Sequence, residues 1–185
     1  MSEHQKEIEE LKKHFPHRYT NPIVDPTVFR APGSQVIGDV VIGKESSIWF
    51  NSVIRADVNY IRIGERTNIQ DFTMVHESYK ASPTIIGNSV TVGHSVLLHA
   101  CTVRDFALIG MGSILLDDVE IGEFVLLGAG SLVTQGTKIP AGSKAFGRPA
   151  KVVGQLTEEE KEKLRFSADH YVRLAQTYRF ATPPF

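Results

Sequence analysis

The sequence predicts an all-β protein: a parallel β-helix of hexapeptide repeats with a C-terminal α-helix packed on the outside. Three observations predict it. Aliphatic residues recur every six positions, glycine often follows them directly, and the period stops after Arg148-Pro149, where a capped helical pattern begins.

The repeat is legible from Ile42 onward. Inward aliphatics fall at Ile42, Ile48 and Ile54, at Ile63, Ile69 and Val75, and at Ile86, Val92 and Leu98, then at Val103, Ile109, Leu115, Ile121, Leu127, Val133 and Ile139. Residues four later are small or β-branched, as at Ser46, Ser52, Thr67 and Thr73. A period of six fits neither a helix of 3.6 residues per turn nor strand alternation, and it marks a solenoid of short strands and turns. Three repeats make one triangular coil, and each coil covers the apolar floor of the one before it. The glycines after the aliphatics, such as Gly43, Gly64 and Gly110, are expected to supply backbone angles that a side chain would obstruct.

Three steps depart from six. Ile54 to Ile63 takes nine residues and Val75 to Ile86 takes eleven, both read as loops, while Leu98 to Val103 takes five. The stretch from Glu77 to Pro83 is polar and proline-bearing, as an excursion from one side of a coil should be. Beyond the repeat, Thr157 and Glu160 form a capping box that opens a helix to about Arg179, with Leu164, Ala168, Tyr171, Val172 and Ala175 as its packing stripe and Pro183-Pro184 barring continuation. Ser2 to His14 reads either as a short helix with Ile8 and Leu11 inward or as a frayed arm. The expected organisation is an arm over residues 1–20, the β-helix over 21–153 and the helix and tail over 154–185.

Composition narrows the function classes. With 20 Lys+Arg against 21 Asp+Glu, the net charge of -1 gives no electrostatic reason for a nucleic-acid or anionic-membrane partner. Cys101 is the only cysteine, so no intrachain disulfide forms, which suits a reducing compartment. No apolar stretch approaches the roughly 20 residues of a membrane helix and the N-terminus lacks a leader's apolar run, so a cytoplasmic protein is expected.

Repeat register turns histidines into geometry. His76 follows Val75 and His99 follows Leu98, and those two aliphatics are three sides apart, one full coil. The two histidines are expected to stack about 4.8 Å apart, close enough to chelate one ion. Arg55, after Ile54, belongs to the same outward column. His94, two after Val92, falls on another side of the triangle above Asp71, two after Ile69. One chain does not easily close such a site, whereas three prisms around a three-fold axis bring His94 of one to His76 and His99 of the next. Three imidazoles with an open fourth position form the ligand set of a catalytic zinc, whose bound water has a pKa lowered to about 7. His4, His14, His17 and His170 lie outside the repeat and read as solvated.

Three segments carry a family resemblance: Asn51 to Asp57, Asn68-Ile69-Gln70-Asp71 ahead of His76, and Gly93 to Cys101. From about Val28 to Lys151 the chain resembles the gamma-class carbonic anhydrases and their close relatives. The resemblance implies left-handed coiling and a homotrimer. It implies that His76, His94 and His99 bind zinc, or cobalt or ferrous iron in its place, with His94 contributed across the subunit boundary. It implies an intersubunit Arg55–Asp57 ion pair near the metal, Gln70 orienting the metal-bound hydroxide or bicarbonate, Asn68 as a substrate-side polar group and Asp71 bracing a neighbouring arginine or histidine. The implied activity is reversible hydration of carbon dioxide to bicarbonate. One departure bears on rate: Val58 stands where the archetype has a proton-transferring glutamate, and Glu77 is the sole carboxylate of a short loop. Two alternatives remain at this stage. One is an acyl-coenzyme A-dependent acyltransferase, which shares the Gly147-Arg148-Pro149-Ala150-Lys151 closing stretch; the other is a metal-stabilised trimeric scaffold or metal-dependent hydrolase.

Overall fold

The computed structural model describes residues 1–79 and 82–180, the side chain of Phe180 excepted. Lys80 and Ala81 of the expected excursion and the expected proline stop at Pro183-Pro184 lie outside the described residues.

Short parallel strands stack into a three-sided solenoid whose interior is the set of aliphatics spaced by six. On the first side Val24, Ile42, Ile63, Ile86, Val103, Ile121 and Ile139 pair in register. On the second, Ile48, Ile69, Val92, Ile109, Leu127 and Ala145 do so. On the third, Val36, Ile54, Val75, Leu98, Leu115 and Val133 line up. Nearly all are fully buried, so the core is three aliphatic ladders facing one another. The hydroxyls four residues later tie coil to coil: Ser52 donates to the Gln70 carbonyl at 2.7 Å and Thr73 to the Gly93 carbonyl at 3.0 Å. A buried hydroxyl thus satisfies a buried carbonyl that the ladder alone would leave with a free lone pair.

The turn chemistry differs from the sequence expectation. The left-handed backbone conformation falls three residues after most inward aliphatics, not directly after them, as at Asn51 (φ 57), Phe72 (φ 59) and Gly112 (φ 68). Non-glycine residues tolerate it there because corner amides bond to the coil below, for example Phe72 N–H to the Phe50 carbonyl at 3.0 Å and Ser95 N–H to the Asp71 carbonyl at 2.9 Å. The glycine that directly follows an aliphatic is required by close approach: a Cβ on Gly110 would lie 2.4 Å from the Ala129 amide nitrogen of the next coil. Gly110→Ala should therefore spread two coils and destabilise the chain by about 1–3 kcal/mol, the usual cost of overpacking. Urea denaturation with an unchanged m-value checks this; an unshifted midpoint would contradict it.

The nine-residue step is also corrected. It is one continuous strand, Val53–Ile63, that crosses from the third side to the first and pairs with Gln35–Ile42, with an irregularity between Gly38 and Val40. The eleven-residue step does leave the coil after His76 and returns at Thr84. At the C-terminal end Ser143–Gly147 and Ala150–Gln155 form an antiparallel hairpin.

Helix α1 spans Glu3–His14, capped reciprocally by Ser2 and Gln5, and has no buried residue, so Ile8 and Leu11 do not pack inward as expected. A 3-10 turn, Pro16–Tyr19, lays the arm against Gln35–Ile42 and Val53–Ile63. Here His17 is not simply solvated: its Nδ1 bonds Asp39 at 2.8 Å. Helix α2 spans Glu158–Phe180 and begins with the expected capping box, Thr157 N–H to Glu160 at 2.8 Å and Glu160 N–H to Thr157 Oγ1 at 3.2 Å. Leu164, Ala168, Val172 and Ala175 bury against the second side, where Tyr171 and Tyr178 meet the Trp49 ring edge-on. No described helix is long and apolar enough to cross a membrane.

Candidate metal centre

The third side carries the chemistry. Because inward and outward residues alternate, the residue after each inward aliphatic faces out, and His76 and His99 pair directly in neighbouring strands. Their rings lie 5.2 Å apart between centroids, and His76 Nδ1 is 3.2 Å from His99 Nε2. Each ring has its other nitrogen on a carboxylate: His76 Nε2 is 3.1 Å from Asp57 Oδ1, and His99 Nδ1 is 2.5 Å from Asp117 Oδ1. A neutral imidazole has one N–H, and a carboxylate can only accept, so these bonds place the protons on His76 Nε2 and His99 Nδ1. The two facing nitrogens then present lone pairs to each other.

Opposed lone pairs at that distance repel unless a proton or a metal cation lies between them. Two imidazole nitrogens at 2.0–2.1 Å from one tetrahedral ion would stand about 3.3 Å apart, close to the separation seen, so the donor pair fits a metal of the zinc class. Backing of a ligating histidine by a carboxylate through the other nitrogen is the usual support for such a ligand.

Asp57 is the hub of the centre. Burial, the largest influence, pushes its carboxyl upward, but hydrogen bonds from Arg55 and His76 outweigh that and hold it below the ordinary aspartate value. Arg55 Nη1 lies 2.5 Å from Asp57 Oδ1 within the same chain. Arg18 of the N-terminal turn stands 3.7 Å from the other oxygen. Glu77, read from the sequence as a loop carboxylate, is fully buried: its Oε1 accepts the Val58 and Asn59 amides at 2.9 and 3.1 Å, and its Oε2 lies 3.2 Å from His76 Nε2 without a hydrogen bond. Among the described residues, Asp57, His76 and Glu77 form the group whose potential ligand atoms all lie within 4.8 Å of one another.

His94 sits elsewhere, at the corner between the second and third sides. Its Nδ1 is 2.8 Å from Asp71 Oδ2, its column neighbour one coil below, which leaves Nε2 as the unprotonated nitrogen facing outward from a half-exposed ring. Gln70 and Asn68 are buried on the second side. Asn68 Nδ2 donates to the Val90 carbonyl at 3.3 Å and to Thr91 Oγ1 at 3.1 Å, and Thr91 in turn meets Ser167 of α2 at 3.1 Å. Since the Val90 carbonyl can only accept, Asn68 must turn its Oδ1 to Gln70 Nε2, 3.0 Å away, and this fixes the Gln70 amide as well. The expected site residues thus fall in separate places on one chain: His76, His99, Arg55 and Asp57 together on the third side, His94 with Asp71 at the corner, and Gln70 with Asn68 on the second side.

The sequence reading missed three features. Asp117, two residues after Leu115, falls by register over Ala100 rather than His99, so its bond to His99 was not legible, and Glu77 could not be told from a solvated loop residue. The third is an outward apolar column on the third side, Val53, Met74, Leu97, Ile114 and Leu132, paired in register one residue before the inward ladder. The corner beside His94 adds two exposed apolar side chains, Phe72 and Met111.

No protein-family model matches the sequence. Over 163 residues the chain is 51% identical to a protein named gamma carbonic anhydrase 2, mitochondrial, of Arabidopsis thaliana; the match covers 85% of this chain but 59% of that protein's length. It is 50% identical over 165 residues to a carbonic anhydrase of Geobacillus kaustophilus, covering 89% of this chain and 90% of that one. A solved structure from Bacillus cereus, described as a putative acetyltransferase, superposes with a TM-score of 0.85 at 49% identity, covering 86% and 92% of the two chains.

Proposed function

The chain belongs to the gamma-class carbonic anhydrase-like family of hexapeptide-repeat proteins, and from that membership we propose that it catalyses the reversible hydration of carbon dioxide to bicarbonate. The observation that carries this reading is the pair of facing lone pairs on His76 and His99, each ring proton committed to an aspartate. The proposed assembly is a homotrimer in which His94 of an adjoining subunit completes the set, with zinc as the cation and cobalt or ferrous iron able to replace it. The separation of His94 from His76 and His99 and the apolar column support that assembly, because neither place alone offers three histidines. A reducing compartment, the cytoplasm, suits a chain whose one thiol is buried and pushed up to about 12.

Bound there, the cation would supply Lewis-acid activation of water near neutral pH. The chain's own residues do the rest. His76 and His99 donate lone pairs, and Asp57, steadied by Arg55, holds the His76 Nε2 proton so that Nδ1 stays a donor atom. Gln70 has its amide nitrogen tied to Asn68, so its Oε1 is the end free to accept a hydrogen bond from the attacking oxygen and orient it. Hydration joins that oxygen to the carbon of carbon dioxide and releases one proton. With Val58 in place of the archetypal glutamate, that proton is expected to leave through external buffer, and turnover to be slow and buffer-limited.

Stopped-flow hydration with the zinc- or cobalt-loaded protein tests this. A metal-dependent rate that climbs with buffer concentration is expected; no rate above that of buffer alone would end the reading. The acyltransferase alternative draws only on the solenoid that such enzymes share, and no feature of the histidine geometry favours it.

A further inference from the structure

We propose that Asp117 is the positioning residue for His99, and that Ser78, at the start of the excursion after His76, holds Asp117 in the pose that does so. This rests on the reading of His76 and His99 as cation ligands. Each of the three histidines has one aspartate behind it: Asp57 on His76, Asp71 on His94 and Asp117 on His99. Asp57 and Asp71 sit inside the segments that carry the family resemblance, whereas Asp117 comes from the coil beyond and lies outside them.

Geometry gives Asp117 a definite task. The strand pairing fixes where the His99 Cβ stands but leaves rotation of the ring about its last torsion open, and a half-turn would present carbon rather than Nε2 to His76. The bond from His99 Nδ1 to Asp117 Oδ1 selects one of those two poses and one tautomer together. Asp117 is a short side chain with two oxygens, and its own orientation is set by what the second oxygen meets. That partner is the Ser78 hydroxyl, which donates to Asp117 Oδ2. The excursion is tethered a second time by Ser82 to Asp118, but this bond touches no histidine. The two tethers therefore differ in kind: one orients a ligand and one only anchors chain.

That difference makes the test. Cobalt(II) alone is the probe, its affinity read by competition with a chromophoric chelator and its site geometry by the visible absorption of the bound ion. Asp117→Ala should weaken cobalt binding by about 10–100-fold, the usual cost of removing a carboxylate behind a ligand, and change the spectrum. Asp117→Asn should recover part of the loss, because its side-chain oxygen still accepts from Nδ1–H. Ser78→Ala should lose less than Asp117→Ala, and Ser82→Ala should bind as the unaltered protein does. Unaltered affinity and spectrum in Asp117→Ala would overturn the proposal, and so would an equal loss in Ser82→Ala, which would reduce the effect to anchoring. If the unaltered protein takes up no cobalt at all, the ligand reading itself falls and the proposal with it, a result distinct from the other two.

Discussion

His94→Ala should leave a folded protein that no longer retains its cation after dialysis and hydrates carbon dioxide no faster than buffer. His94 projects outward from a corner and contributes nothing to the aliphatic core, so its truncation should move the stability of the single chain by no more than about 0.5 kcal/mol, as for an ordinary surface change. Its proposed role is different in size. With only His76 and His99 left, two donors must hold the ion, and the loss should exceed the 10–100-fold that follows removal of a carboxylate behind a ligand. Metal analysis, stopped-flow hydration and sedimentation on one preparation separate the roles. A surviving trimer without metal or rate makes the ion chemical; loss of the trimer as well makes it architectural; full metal and full rate would show that His94 is not a ligand.

The fold was legible because one physical rule, an inward aliphatic every sixth residue, governs the whole core. The register that paired Val75 with Leu98 also placed His76 on His99, and the one that paired Ile69 with Val92 placed His94 over Asp71. What failed were inferences about the connections between repeats. Glycine after an aliphatic was credited with unusual backbone angles, but those angles fall two residues later and the glycine answers to crowding by the next coil. The nine-residue step looked like a loop because it breaks the period, yet a strand can change sides without leaving the sheet. Glu77 was illegible for a stronger reason. A glutamate in a polar stretch gives no sign that two backbone amides of a distant strand, Val58 and Asn59, will draw it inside. The pose of Gln70 was hidden as well, since the Val90 carbonyl one coil away fixes the Asn68 amide and Asn68 in turn fixes that of Gln70, and nothing local in the sequence joins them.

Leu97→Asp should convert the proposed trimer to monomers at micromolar concentration and strip the proposed cation with it. Leu97 is the middle rung of the outward column Val53, Met74, Leu97, Ile114 and Leu132. The corresponding outward positions on the first side are mixed, with Arg62, Thr102, Glu120 and Lys138 beside Ile23, Val41 and Ile85, so an unbroken apolar column is particular to the third side. An apolar column between the His76–His99 edge and the corner that carries His94 is what a subunit contact requires, since burying it offsets the loss of free motion on assembly. A carboxylate at its centre would have to be desolvated without a partner in every one of three equivalent contacts, at several kcal/mol each. In the separated chain the same side chain faces solvent, so the fold should persist, which circular dichroism can verify. Thr102→Asp is the matched control, outward on the first side, and should remain trimeric with its metal. Sedimentation equilibrium and metal content should then fall together in the Leu97 variant and in neither control nor parent. A Leu97→Asp protein that stays trimeric would move the interface elsewhere, and a monomer that still holds its ion would show that the centre closes within one chain, through Asp57 and Glu77 beside His76 in place of a neighbour's His94.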